Sequence, residues 1–213
     1  MIQLFSAATG EPLAIMDGRL ITEMRTAAVS AIATDLLARR DTQVLAILGS
    51  GVQARSHLEA LRLVRPFGEV RVWSRTPEHA ARFARETGAR AMSAEAAVRE
   101  ADVVVTATSS PEPVLRGEWL RDGAHVNAVG AVGPSMRELD DRAMQGVLVV
   151  ESREAVEKES GDVILSGATV YGELGELLAG GRKIPTGQRT VFKSVGIAIE
   201  DLAAAKLVYE SGR

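Results

Sequence analysis

Gly49 and Gly51 belong to the hexapeptide GSGVQA at residues 49–54, which has the spacing G-x-G-x-x-A. In this pattern the first glycine makes a tight turn and the second lets the backbone approach a pyrophosphate. The third position must be small so that a helix can pack closely on a strand, and Ala54 meets that need. The residue types therefore suit the binding of a dinucleotide.

The segments on either side of the glycines support this interpretation. The apolar run VLAIL at 44–48 is typical of a buried parallel strand, and 52–63 has the pattern of an amphipathic helix. Free N–H groups and the positive end of the helix dipole would then face the phosphates. The alternative interpretation is a glycine-rich turn that binds no ligand. The residues predicted to bind are Gly49, Ser50, Gly51, Val52 and Gln53.

Ser74, Arg75 and Thr76 stand at the end of a second predicted strand, which begins at Glu69. About twenty residues beyond the glycines, an NAD site commonly carries an acid that binds the ribose 2′-hydroxyl. Here a guanidinium and two hydroxyls occupy that place, and they match the charge and hydrogen-bonding needs of a 2′-phosphate. We therefore expect these residues to bind NADP(H), with NAD(H) as the second choice. A solvent-facing loop charge is the alternative role of Arg75.

Two later apolar segments, at 102–108 and 123–130, end in small or hydroxyl residues. Ligands of open α/β sheets collect at the carboxyl ends of the strands. Thr106, Thr108 and Gly130 are therefore expected near the first glycine turn. The residues added to the predicted cofactor site are Thr106, Ala107, Thr108, Val129 and Gly130.

Arg25 lies in the first turn of a helix predicted at 22–39, with Thr22 as its N-cap. A cation at this end of a helix is unfavourable because it opposes the helix dipole. We therefore expect Arg25 to bind a negatively charged partner. One interpretation is a surface ion pair with Glu23 or Asp17. The other is a residue that binds an anionic ligand, and the sequence pattern does not decide between them.

Strands that alternate with helices, including one at 147–151, predict an α/β protein with a Rossmann-type doubly wound, mostly parallel sheet. The two chain ends differ from this pattern. Residues 2–17 predict a hairpin, and 197–209 predict a helix that could pack on 22–39. Both ends would then form one subdomain beside the sheet.

Composition excludes several classes of function. The 213 residues carry a net charge of −3 and no cysteine, which excludes disulfides, thiolate metal sites and cysteine nucleophiles, and gives no footprint for nucleic acid. His57, His79 and His125 lack the spacing of metal ligands, so no metal site is expected. Without an apolar run of about 20 residues or a signal-peptide pattern, we expect a cytoplasmic protein that spans no membrane.

Eight short segments resemble one protein family as a set, and the similarity extends over essentially the whole chain. The chain resembles the ornithine cyclodeaminase/mu-crystallin family, closest to its mu-crystallin, or ketimine reductase, branch. The segments are RTAAVSAIAT (25–34), ILGSGVQA (47–54), VWSRT (72–76), VNAVGA (126–131), RELDD (137–141), SGDV (160–163), ELGE (173–176) and FKSVG (192–196).

The resemblance implies a Rossmann domain at 41–190 and a partial dimerisation and substrate subdomain formed by 1–40 with 191–213. It therefore also implies a homodimer or another homo-oligomer. It assigns the substrate carboxylate to Arg25 and the 2′-phosphate to Arg75 and Thr76. It further places Ser194 and Glu173 beside the nicotinamide, with a catalytic role for Glu173.

Two features depart from the family pattern. Ornithine cyclodeaminases carry a proton-transferring acid in the loop after VG, and this position falls on Val132, which cannot move a proton. Family members also have strands and a substrate-contacting lysine before the hairpin, and we expect this chain to lack them. The expected function is NADPH-dependent reduction of the C=N bond of a small imino acid, such as a cyclic ketimine carboxylate. The alternatives are a noncatalytic NADPH-binding protein, an alanine dehydrogenase and an ornithine cyclodeaminase.

Overall fold

Apolar strands and amphipathic helices alternate along the chain and build one parallel sheet and a separate hairpin. The computed structural model describes residues 1–183 and 186–212. Its strands are β1 (Ile2–Phe5), β2 (Pro12–Met16), β3 (Val44–Leu48), β4 (Glu69–Trp73), β5 (Arg90–Ala91), β6 (Val103–Thr106), β7 (His125–Ala128), β8 (Val147–Val150), β9 (Val170–Glu173) and β10 (Thr190–Lys193). Its helices are α1 (Gly18–Leu37), α2 (Val52–Val64), α3 (Pro77–Thr87), α4 (Ala94–Val98), α5 (Arg153–Glu159), α6 (Gly161–Ser166), α7 (Leu174–Leu178) and α8 (Ala198–Ser211).

The parallel sheet has the strand order β5-β4-β3-β6-β7-β10-β8-β9. Successive residues of β3 pack into different cores: Ala46 and Leu48 into one, Leu45 and Ile47 into the other. Both faces of the sheet are therefore covered, which explains the continuous apolar run in the sequence. Within this sheet β3 is the first strand in chain order, β4 and β5 are added on one side of it, and β6 and the later strands are added on the other. The junction of β3 and β6 is therefore a topological switch point. The predicted fold class is confirmed.

The strand β10 lies within this sheet, paired in parallel with both β7 and β8. Val191 and Phe192 are fully buried there. Residues 191–193, which the sequence groups with the chain ends, thus belong structurally to the parallel sheet. The wider division into 41–190 and the two ends remains a prediction.

The chain ends pack together, because α8 contacts α1, as the sequence suggests, and also contacts β1. The predicted N-cap Thr22 is wrong, because α1 begins at Gly18 and the Asp17 side chain accepts a hydrogen bond from the Arg19 N–H at 2.9 Å. The hairpin of β1 and β2 forms its own antiparallel sheet. Throughout 1–183 and 186–212, no helix combines the length and the apolar character needed to cross a membrane.

Candidate functional site

A cleft of about 290 Å³ opens at the carboxyl ends of β3, β4 and β6, beside the switch point. It brings together residues from three of the predicted groups, and adds several that the sequence did not single out. The lining residues are Gly49, Ser50, Gly51, Trp73, Ser74, Arg75, Thr76, His79, Ala107, Thr108, Ser109, Ser110 and Val114. No acidic residue is among the described residues that line the cleft, so no carboxylate there would repel an anionic ligand.

The two glycines of the turn serve different needs. Gly49 has φ +123°, and a Cβ there would lie 2.4 Å from the Ala107 carbonyl oxygen, so the chain itself requires glycine. A Cβ on Gly51 would meet no protein atom within 4 Å. Gly51 is also the N-cap of α2 and supplies no side-chain cap, so the first N–H groups of the helix are free to bind an anion. This arrangement fits a pyrophosphate.

Arg75 and Thr76 offer uncommitted donors on the β4 side of the cleft. Arg75 is exposed and forms no hydrogen bond or ion pair within the described part of the chain. Thr76 is the N-cap of α3 without a side-chain cap hydrogen bond. Ser74 accepts a hydrogen bond from the Ser50 hydroxyl at 3.1 Å, which links the two strand ends.

The ends of β6 and β7 are joined by a residue that the sequence reasoning missed. The buried carboxylate of Glu138 accepts the Thr106 hydroxyl at 2.8 Å and the Thr108 N–H at 2.6 Å. A Cβ on Gly130 would lie 2.1 Å from the Thr108 carbonyl oxygen, so these strand ends touch closely. Burial raises the pKa of Glu138, although the nearby Lys193 charge opposes the shift. The segment RELDD was its only signal in the sequence.

Ser194 and Arg25 lie further along the same edge, beyond β10. The Ser194 hydroxyl donates to Glu151 at 2.6 Å. The Arg25 guanidinium is 3.0 Å from Glu200 and 3.4 Å from Asp201, both on α8, so the expected partners Glu23 and Asp17 are wrong. Burial and the neighbouring Glu151 charge raise the pKa of Glu200 to about 7, against the lowering effect of Arg25.

Some predicted residues lie outside the cleft. Glu173 caps α7 and accepts the Arg153 N–H at 2.8 Å. It ends β9, five strands from β3, which is about 24 Å along the sheet at the usual strand spacing. Val52 and Gln53 lie in the first turn of α2 but line other surface hollows. Val132, in the loop after β7, is 53% exposed.

Two of the three histidines serve the core. His57 lies 2.9 Å from the Ser30 hydroxyl and 2.7 Å from the Gln53 carbonyl, and His125 lies 2.8 Å from the Thr190 hydroxyl. Burial lowers the pKa of each to about 4. In the described residues, no group of three or more histidine, aspartate and glutamate side chains is placed to hold a metal ion.

The glycine turn and Glu138 both lie in the short segments that resemble one family, ILGSGVQA and RELDD. The family model for ornithine cyclodeaminase and mu-crystallin matches residues 1–213. The chain belongs to this family. A relative from mouse (Mus musculus), ketimine reductase mu-crystallin, is 53% identical over 214 residues, which span 99% of this chain and 68% of the mouse protein.

Two solved structures share the fold of this family member. The Δ1-pyrroline-2-carboxylate reductase of Thermococcus litoralis, in complex with NADH and L-proline, has a TM-score of 0.92 and 41% identity over 98% of this chain and 70% of that one. An archaeal alanine dehydrogenase, a dimer with bound NAD, has a TM-score of 0.92 and 37% identity over 98% of this chain and 69% of that one.

Proposed function

We propose that the protein is an NADPH-dependent oxidoreductase that reduces the C=N bond of a small imino acid, such as a cyclic ketimine carboxylate. The observation that carries this proposal is the acid-free cleft, in which a glycine turn faces open space and Arg75 has no protein partner among the described residues. The ketimine and Δ1-pyrroline-2-carboxylate reductases among the relatives support the choice of substrate class.

The cofactor would lie along the carboxyl edge of the sheet. Its pyrophosphate would bind over Gly51 at the start of α2, and its 2′-phosphate would bind Arg75 and Thr76 on the β4 side. The nicotinamide half would then extend in the other direction, toward the ends of β6, β7 and β10. When bound, the reduced nicotinamide supplies a hydride to the carbon of the C=N bond.

Arg25 would orient the substrate on the same edge by binding its carboxylate. Its guanidinium lies against Gly196, just beyond β10, where an added Cβ would be 2.9 Å from Nη1. Holding a substrate in a fixed geometry removes several kcal/mol from a reaction barrier. Val132, in the loop after Gly130, offers no proton, which favours reduction over cyclodeamination.

Oxidation of NADPH, followed by absorbance, tests this function with several candidate substrates. Cyclic ketimine carboxylates should be reduced, whereas pyruvate with ammonia and ornithine should give little or no turnover. Turnover of pyruvate with ammonia would identify an alanine dehydrogenase instead. Thermal stabilisation by NADPH without oxidation of any substrate would identify a noncatalytic binding protein and overturn the proposal.

We further propose that the chain forms a homodimer. Apolar side chains are exposed on the hairpin and on α8, including Phe5, Ile15, Ile199 and Leu207. Exposed apolar side chains on two elements that contact each other, β1 and α8, are typical of an interface between subunits. Light scattering should give twice the mass of the chain, and a stable monomer would contradict this assembly.

A further inference from the structure

Glu138, Asp162 and Lys193 are charged side chains with no exposed surface. They come from three of the short segments that mark the family, RELDD, SGDV and FKSVG, and none of them lines the cleft. A charge buried without compensation costs several kcal/mol of stability. Burying three such side chains together therefore suggests a role in function as well as in packing.

Lys193 and Asp162 fix the loop that follows β7. The Lys193 Nζ donates to the Gly130 carbonyl oxygen at 2.6 Å and lies 3.0 Å from Asp162 Oδ2. That oxygen accepts no hydrogen bond within the described chain, so the contact with the ammonium is charge attraction. The other oxygen, Asp162 Oδ1, accepts the backbone N–H groups of Glu138 and Leu139 at 2.8 and 2.9 Å. Asp162 thus holds Glu138 in place.

Glu138 in turn binds the end of β6. Its two carboxylate oxygens accept hydrogen bonds from the Thr106 hydroxyl and the Thr108 N–H. A Cβ on Gly130 would lie 2.6 Å from Glu138 Oε1. The carboxylate therefore fills the space behind Gly130 and joins the ends of β6 and β7. In the sheet, β6 and β7 lie on the opposite side of β3 from β4, the strand that precedes Arg75.

We propose that Lys193, Asp162 and Glu138 are positioning residues that hold the ends of β6 and β7 in the shape that receives the nicotinamide half of the cofactor. The proposal rests on the function proposed above. Among the described residues, the hydrogen bonds of the cluster reach the ends of β6 and β7, and none reaches the end of β4 or the start of α2. The cluster should therefore affect the nicotinamide half much more than the adenosine half. A residue that matters only for general stability would affect both halves.

Calorimetric titration with NADPH and with 2′-phospho-ADP-ribose, which lacks only the nicotinamide, separates the two roles. Glu138→Gln keeps the shape of the side chain and leaves Lys193 paired with Asp162. Lys193→Met with Asp162→Asn removes both charges of the ion pair together, and with them the positive charge that opposes the raised pKa of Glu138. Each should weaken NADPH by roughly tenfold or more, as expected for loss of a charge-assisted hydrogen bond, and leave 2′-phospho-ADP-ribose within about twofold.

Lys158→Met serves as the matched control, because the Lys158 side chain is 68% exposed and its ion pair within the described residues is with Glu154. Equal losses for both ligands in Glu138→Gln, or unchanged NADPH affinity in both cluster variants, would overturn the positioning role. Absence of NADPH binding to the unsubstituted protein would instead overturn the proposed function, so the two failures are distinguishable.

Discussion

Arg75 is an arginine whose guanidinium has no protein partner within residues 1–183 and 186–212, in a cleft without acids. A guanidinium that binds the 2′-phosphate contributes only when this phosphate is present. Arg75→Ala should therefore weaken NADPH by about 1.5 to 3 kcal/mol, or roughly ten- to hundredfold, and leave NADH nearly unchanged. Calorimetric titration of both cofactors measures the difference. Arg82→Ala is the control, because Arg82 is also an exposed arginine but lies on α3, outside the cleft lining. Equal losses of NADH and NADPH in Arg75→Ala would assign Arg75 a structural role.

Arg25 differs from Arg75 because its guanidinium is already paired with Glu200 and Asp201. A substrate carboxylate would have to compete with these acids. Arg25→Ala should raise the KM for the imino acid by roughly tenfold or more and leave the NADPH affinity unchanged, since the substrate loses a charge-assisted contact. Steady-state kinetics checks this. Arg19→Ala, with a side chain 80% exposed on the same helix, should behave like the unsubstituted protein, and an unchanged KM in Arg25→Ala would exclude the carboxylate role.

The sequence predicted the position of single residues where that position depends on neighbours in the chain. Gly49 and Arg75 lie at strand ends in the cleft, as expected, because each follows its strand within two residues. The partners of Arg25 were missed because they lie on α8, some 175 residues away in the chain. Glu138, Asp162 and Lys193 were missed for the same reason, since their ion pair and hydrogen bonds form only when β6, β7, β10 and α6 meet.

At the scale of secondary structure, the turn between β3 and α2 combines a requirement of the fold with a requirement of binding. Gly49→Ala places a Cβ against the Ala107 carbonyl and at an unfavourable φ, so it should lower the free energy of unfolding by more than 1 kcal/mol. The Cβ of Gly51→Val meets no protein atom within 4 Å, so this substitution should lower stability less than Gly49→Ala. It should weaken NADPH and NADH alike by blocking the pyrophosphate. Denaturant unfolding and titration on both variants separate the effects. Unchanged binding in Gly51→Val would contradict the placement of the pyrophosphate.

Sequence patterns predicted most strands but not their order in the sheet. The strands β3, β4, β6, β7 and β8 were predicted because each lies in a segment with its own apolar run or apolar alternation. The place of β10 between β7 and β8 was not predicted, because strand order depends on contacts between segments that are distant in the chain. The first residues of α1 were missed because Asp17 caps the helix one turn before the apolar pattern becomes regular.

For the whole molecule, the two buried histidines predict how stability depends on pH. Each has an ordinary pKa of 6.5 that the fold lowers to about 4, so its contribution is present above pH 6.5 and is lost as pH falls through 4. Glu200 acts in the opposite sense, because its pKa is raised from 4.5 to about 7 and its contribution is lost as pH rises through that range. The two histidines therefore favour a loss of stability as the pH falls from 6.5 to 4, and the raised pKa values of Glu200 and Glu138 oppose part of this loss.

Denaturant unfolding at several pH values between 7 and 4 measures this loss. His57→Gln cannot titrate, so its free energy of unfolding should fall less steeply with acid than that of the unsubstituted protein, even though its stability at pH 7 is lower. His79→Gln replaces an exposed histidine and should leave the slope unchanged. Identical slopes for all three proteins would show that burial of His57 does not control the acid response.

The central claim is that this chain transfers a hydride from NADPH to the carbon of a cyclic C=N bond. Mass spectrometry of the product formed with NADPH deuterated at both C4 positions tests it most directly. The predicted result is a cyclic amino acid with one deuterium on the former imine carbon for each NADPH oxidised. A product without deuterium, or oxidation of NADPH without any cyclic amino acid, would contradict the claim.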